Sequence, residues 1–138
     1  MAHDRLIREC NTRFMKTLIA YSLAFIWLYS ALCSAFLFSH EKSYELLSQV
    51  GIPVSWQPIT LYSACLLDAV LGMLMLFQYQ VKRSCYLQIA VIVIYSMIIA
   101  WKLPEELIHP FAPIAKNVPL VVLILVMINM DNSLHQGE

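Results

Sequence analysis

Between Pro58 and Val81 the chain carries one charged residue, Asp68, in an otherwise apolar run. A helix of that composition crosses a bilayer, and Asp68, ten residues after Pro58, then sits near its middle. On insertion scales an acid there costs at least about 2.5–3.5 kcal/mol. Ala64 and Gly72 lie one turn away on either side, so the face around Asp68 is small and admits a close neighbouring helix. The carboxyl therefore faces other protein rather than lipid. Two roles fit it: handling a proton or a ligand, or tying helices together by hydrogen bonds. Apolar blocks elsewhere offer no basic residue to balance it. The nearest candidates lie beyond the following segments: Lys116, with Asn117 beside it, Lys102 and His109. A lysine stem tolerates apolar surroundings, so Lys116 can reach inward, and an Asp68–Lys116 contact is expected. The candidate polar site is Asp68, Lys116, Asn117 and His109.

Other reactive types do not assemble. Cys10, Cys33, Cys65 and Cys85 form no CxxC, which argues against a redox pair or a zinc site and for small packing residues. His3, His40, His109 and His135 show no ligand spacing, and no Glu-x-x-His pair suggests di-iron or haem, so no metal is expected. Glu105 and Glu106 are adjacent and point different ways on a helix. Tyr95 and Ser96 most simply hydrogen-bond a neighbouring helix, and otherwise offer a hydroxyl to a quinone or water. No cofactor is evident, quinone being the one for which residues exist. Net charge is zero, which removes the electrostatic basis for nucleic-acid binding.

The elements that must position these residues are read from the charge distribution. Hydrophobic residues make up 60% of the 138 and charged ones 13%, against about 25% charged in soluble domains. No charge falls in 17–39, 84–101 or 118–130, and only Asp68 in 58–81. A hydrocarbon core of about 30 Å takes roughly 20 helical residues. Continuous apolar runs exclude the alternating pattern of a membrane barrel. The expectation is an all-α membrane protein: one domain over 1–138, a four-transmembrane-helix bundle with helices at about 17–39, 58–80, 84–102 and 112–131. The first run is too long for a cleaved signal peptide.

A short outer interfacial helix is expected between the first two spans, capped by Ser43 and ended by Gly51. A Pro-rich outer segment precedes the fourth, with Pro104, Pro110, Pro113 and Pro119. There, either a helix starts near Ala112 and kinks at Pro119, or Pro110–Ala115 dips into the membrane and Asn117 caps a shorter helix. Arg5, Arg8, Arg13, Lys16, Lys82 and Arg83 fall on one side, and Lys42, Lys102 and Lys116 on the other. The positive-inside tendency then puts both termini in the cytoplasm. Trp56, Tyr79 and Trp101 sit at segment ends as an aromatic belt does.

Three stretches resemble the DoxX-like family of small bacterial membrane proteins: Trp27-Leu-Tyr with the later Gly51-Ile-Pro, Asp68-Ala-Val-Leu-Gly72, and His109-Pro-Phe-Ala-Pro-Ile-Ala-Lys-Asn117. The resemblance covers roughly Trp27 to Met130. It implies a four-helix domain of the bacterial inner membrane and, through relatives tied to sulfur-compound oxidation, an accessory or subunit-like role that is possibly quinone-linked. Relatives often carry glutamate at the position of Asp68, and many carry a lysine late in helix one where this chain has Ala35. Three functions follow in order: an accessory component with a membrane-protein partner or a homodimer, a small proton-coupled transporter using Asp68, and a membrane enzyme acting on a quinone or lipid. The balance leans away from an enzyme.

Overall fold

The first glycine of the chain is Gly51 and the first proline Pro53. Nothing before them interrupts a helix, and the leading residues are largely good helix formers. In the computed structural model, which describes residues 2–37, 39–102 and 113–135, helix α1 accordingly runs unbroken from Ala2 to Leu32. It begins well before the apolar block at 17, and ends in one wide π-helical turn, Cys33–Leu37. Helix α2 spans His40–Val50. Its start lies ahead of the expected Ser43 cap. Residue 39 has the extended backbone of an N-cap, and Ser43, already helical, donates its backbone N–H to the Ser39 carbonyl at 3.1 Å. Gly51 ends α2 as expected. At φ 96° it is left-handed, and the N–H groups of Gly51 and Ile52 return to the carbonyls of Ser48 and Leu47.

A 3-10 turn at Val54–Trp56 leads into α3, Gln57–Leu76, with Pro58 in the tolerated first turn. The turn to α4, Val81–Lys102, places two non-glycine residues at positive φ, Gln78 (51°) and Gln80 (43°). Helix α5 runs Pro113–His135 with Pro119 inside it. Asn117, expected as a cap in one reading, lies inside this helix, and 103–112 of the Pro-rich region are outside the described residues. Pro119 lacks the N–H that would bond the carbonyl four residues back, yet the helix continues through it. Pro104, Pro110 and His109 lie outside the described residues.

Four helices are long and apolar enough to cross a membrane, in the stretches Leu6–Leu37, Val54–Leu76, Val81–Lys102 and Lys116–Leu134. They form a ring: α1 packs on α3 and α5, and α4 packs on α5 and α3, leaving α1 and α4 diagonal. The centre is filled by Ala20, Leu23, Ala24 and Trp27 of α1, Leu71 and Met75 of α3, Cys85 and Ile92 of α4, and Ile124 and Met127 of α5. Outward, Phe25, Leu66, Ile94 and Leu125 are each more than half exposed. Such an apolar exterior suits lipid and not water. The chain is an all-α, multi-pass membrane protein.

Lipid is as apolar as leucine, so helices in it associate through close packing rather than through a hydrophobic driving force. The tightest approach is between α1 and α3. A Cβ on Gly72 would lie 2.6 Å from Cγ of Leu28 and 3.1 Å from its backbone nitrogen. Gly72→Ala is expected to destabilise the bundle by about 1–3 kcal/mol, the range for overpacking. Thermal denaturation in detergent reads the loss, and combining it with Leu28→Ala should restore part of it. An unchanged melting temperature in Gly72→Ala would show that α1 and α3 are not in contact there.

Candidate functional site: a buried carboxyl among interhelical polar ties

Each helix pair in the ring except α3–α4 is tied by a polar link, and so is the α1–α4 diagonal. At one end, Lys16 of α1 donates to Asp131 of α5 at 2.5 Å, with side chains 17% and 8% exposed. Across the diagonal, the Trp27 indole Nε1 donates to Gln88 Oε1 of α4 at 2.8 Å. Gln88 Nε2 in turn makes a long bond, 3.5 Å, to Ser84 Oγ one turn away. Three residues beyond Trp27, Ser30 Oγ donates to Asp68 Oδ2 of α3 at 2.9 Å. Between α4 and α5, Asn117 Nδ2 donates to Ser96 Oγ at 2.9 Å. An interhelical hydrogen bond in a membrane averages about 0.6 kcal/mol. These ties therefore set rotation and depth more than they supply stability.

Asp68 differs from the rest. The residue is 7% exposed, facing into the bundle as its small-residue face requires. One oxygen is held by Ser30. The other, Oδ1, is enclosed and is the one buried side-chain polar atom without a hydrogen-bond partner among the described residues. Tyr95 of α4 and Cys65 of α3 lie within electrostatic range of it. Chemically, this is a buried carboxyl with one oxygen hydrogen-bonded and the other lacking a partner among the described residues.

Among the described residues, Asp68 and Asn117 have separate hydrogen-bond partners. The donor to Asp68 is Ser30 and not Lys116, which is exposed near the start of α5. Asn117, expected as a helix cap, instead bonds Ser96, which fulfils the simple reading of that hydroxyl. His109 is outside the described residues. Among the described residues no group of His, Cys, Asp and Glu converges to hold a metal.

Sequence reading missed Ser30, the Trp27–Gln88 bond and the Lys16–Asp131 pair. Gln88 carried a signal, since an amide within a charge-free span needs a partner. Lys16 and Asp131 carried a weaker one: opposite charges bordering spans that end on the same side.

A family model described as the DoxX-like family matches residues 24–125. The chain belongs to the DoxX-like family. The match takes in the Trp27–Gln88, Ser30–Asp68 and Ser96–Asn117 ties and stops short of Lys16 and Asp131. Three of the four ties thus lie in the family domain, and the fourth joins the flanks on either side of it. Ala35 is half-buried in the wide turn after α1. Neither curated proteins nor solved structures give a match to this chain.

If Asp68 is kept for function rather than packing, replacing it should not harm the fold. Asp68→Asn removes a carboxyl that is costly at that depth, and is expected to leave stability unchanged or raise it by up to about 2 kcal/mol. Ser30→Ala should lower it by about 0.5–1 kcal/mol. Both are read from melting in detergent. A loss of stability in Asp68→Asn larger than in Ser30→Ala would make the acid a structural tie.

Proposed function

We propose that this DoxX-like chain is an accessory component of the bacterial inner membrane that uses Asp68 to hold a membrane-soluble, hydrogen-bonding ligand, a quinone or a lipid, on behalf of a partner protein. The observation that carries this reading is the unpartnered Oδ1 of Asp68, the one buried side-chain polar atom among the described residues without a hydrogen-bond partner. A bound carbonyl or hydroxyl would complete the hydrogen bonding of that carboxyl. No nucleophile and base lie together among the polar ties, which favours holding over catalysis.

A second reading, a small proton-coupled carrier, rests on the same carboxyl. Among the described residues no cation is hydrogen-bonded to Asp68, so a proton can balance its charge in one state and leave it in another.

Mass spectrometry of the protein purified in mild detergent tests the proposal. Wild type is expected to carry quinone or a specific lipid and a co-purifying membrane protein, with the ligand lost in Asp68→Asn while helicity is kept. The same complement of ligands in both proteins would overturn it. Proton uptake by reconstituted vesicles that depends on Asp68, without a retained ligand, would select the carrier.

For orientation, both termini are placed in the cytoplasm. Exposed Cys10 on α1 should react with a membrane-impermeant maleimide in inverted vesicles and not in intact cells. The reverse pattern would invert the topology.

A further inference from the structure

The turn joining α3 to α4 lies between two membrane-crossing stretches, and so at the membrane surface. Two features meet on it. One is a cleft of about 560 Å³ lined by Lys16, Gln78, Gln80, Lys82, Arg83 and Asp131, with Val81 at its floor. Three cations face one carboxylate there, and that carboxylate is already engaged by Lys16. Lys82 and Arg83 are exposed. The Arg83 guanidinium is steadied by donating to Gln80 Oε1 at 3.1 Å, and Gln80 Nε2 reaches the Tyr79 hydroxyl at 3.3 Å. The other feature is an apolar groove of about 540 Å³ along α3, formed by Leu66, Val70, Met73 and Phe77 with Tyr79 at its mouth.

The groove and the cleft adjoin at 77–80, where Phe77 and Tyr79 line one and Gln78 and Gln80 the other, and the Gln80 amide bonded to the Tyr79 hydroxyl links the two linings. From Leu66 to Phe77 a helix rises roughly 16 Å, close to the thickness of one leaflet's hydrocarbon, about 15 Å. A cationic, amide-lined cleft at the surface, beside an apolar groove one leaflet deep, matches the polarity of a phospholipid. Basic pockets between transmembrane helices recognise anionic headgroups in this way. Arginine is suited to a phosphate because its N–H groups match two oxygens at once.

We propose that the α3–α4 turn seats one anionic phospholipid, its phosphate between Arg83, Lys82 and Lys16 and one acyl chain along Leu66, Val70, Met73 and Phe77. This site is separate from Asp68 and does not depend on the ligand proposed there.

The test uses the full chain in a neutral detergent, with dioleoylphosphatidylglycerol, dioleoylphosphatidylcholine or inorganic phosphate as probes. Binding is followed by native mass spectrometry and by the shift in melting temperature. Phosphatidylglycerol is expected to bind and to raise the melting temperature well above the effect of phosphatidylcholine. At about the usual worth of each basic residue near an anionic surface, Lys82→Gln with Arg83→Gln should weaken it roughly 30-fold. Arg8→Gln with Arg13→Gln removes the same charge from α1 at positions that do not line the cleft, and should leave binding near wild type. Val70→Trp, which fills the groove, should weaken phosphatidylglycerol without altering the charge. Equal binding of the two lipids, full retention in the Lys82/Arg83 variant, or equal loss in the Arg8/Arg13 variant would overturn the proposal. So would inorganic phosphate alone producing the whole shift, since the site would then recognise a free anion.

Discussion

Inside a bilayer a polar side chain has no water to turn to, and its partner must be another part of the protein. In this chain that constraint falls chiefly on α1. Lys16, Trp27 and Ser30 stand on one helix and reach α5, α4 and α3 in turn. The other three spans are thereby given a depth and a rotation relative to a common rod. Ser96 and Asn117 then join α4 to α5 directly. Remove α1 and most of the interhelical polar bonding goes with it.

Close packing supports the same arrangement. Gly72 lets Leu28 of α1 sit against the backbone of α3, and Ala20, Ala24 and Ala31 keep the buried face of α1 narrow. Near Asp68 this closeness excludes lipid without supplying a second partner. Satisfied bonds on every side make an unsatisfied oxygen informative. Natural bundles seldom leave one buried, and where they do, a functional explanation is the more economical.

Much of this arrangement was legible in the residues. Charge-free blocks are long enough to specify four crossings, and a single acid flanked by Ala64 and Gly72 marks both an interior face and a close contact. The helix limits were less so. The start of α1 lies in a charged stretch with no apolar periodicity, where only the lack of glycine and proline argued for helix. The start of α5 lies among prolines that support two readings. Least legible were the partners. Which hydroxyl meets Asp68 depends on the relative depth of two helices, and that depends on packing along their whole length. Lys16 and Asp131 are 115 residues apart in sequence, so nothing local links them. Lys116 was the natural choice by charge, and geometry replaced it with an uncharged serine.

The 31 residues of α1 extend roughly 46 Å as a helix, while the hydrocarbon they cross is about 30 Å thick. About 16 Å of rigid rod therefore stands clear of the hydrocarbon, and the charged residues Arg8, Glu9 and Arg13 place that overhang at its N-terminal end. Where this rod enters the bundle, Lys16 and Asp131 tie it to α5, and the same helix carries Trp27 and Ser30 deeper in. The facing of its charged first turns is therefore set by the bundle, and α1 presents them outside the hydrocarbon in one fixed orientation.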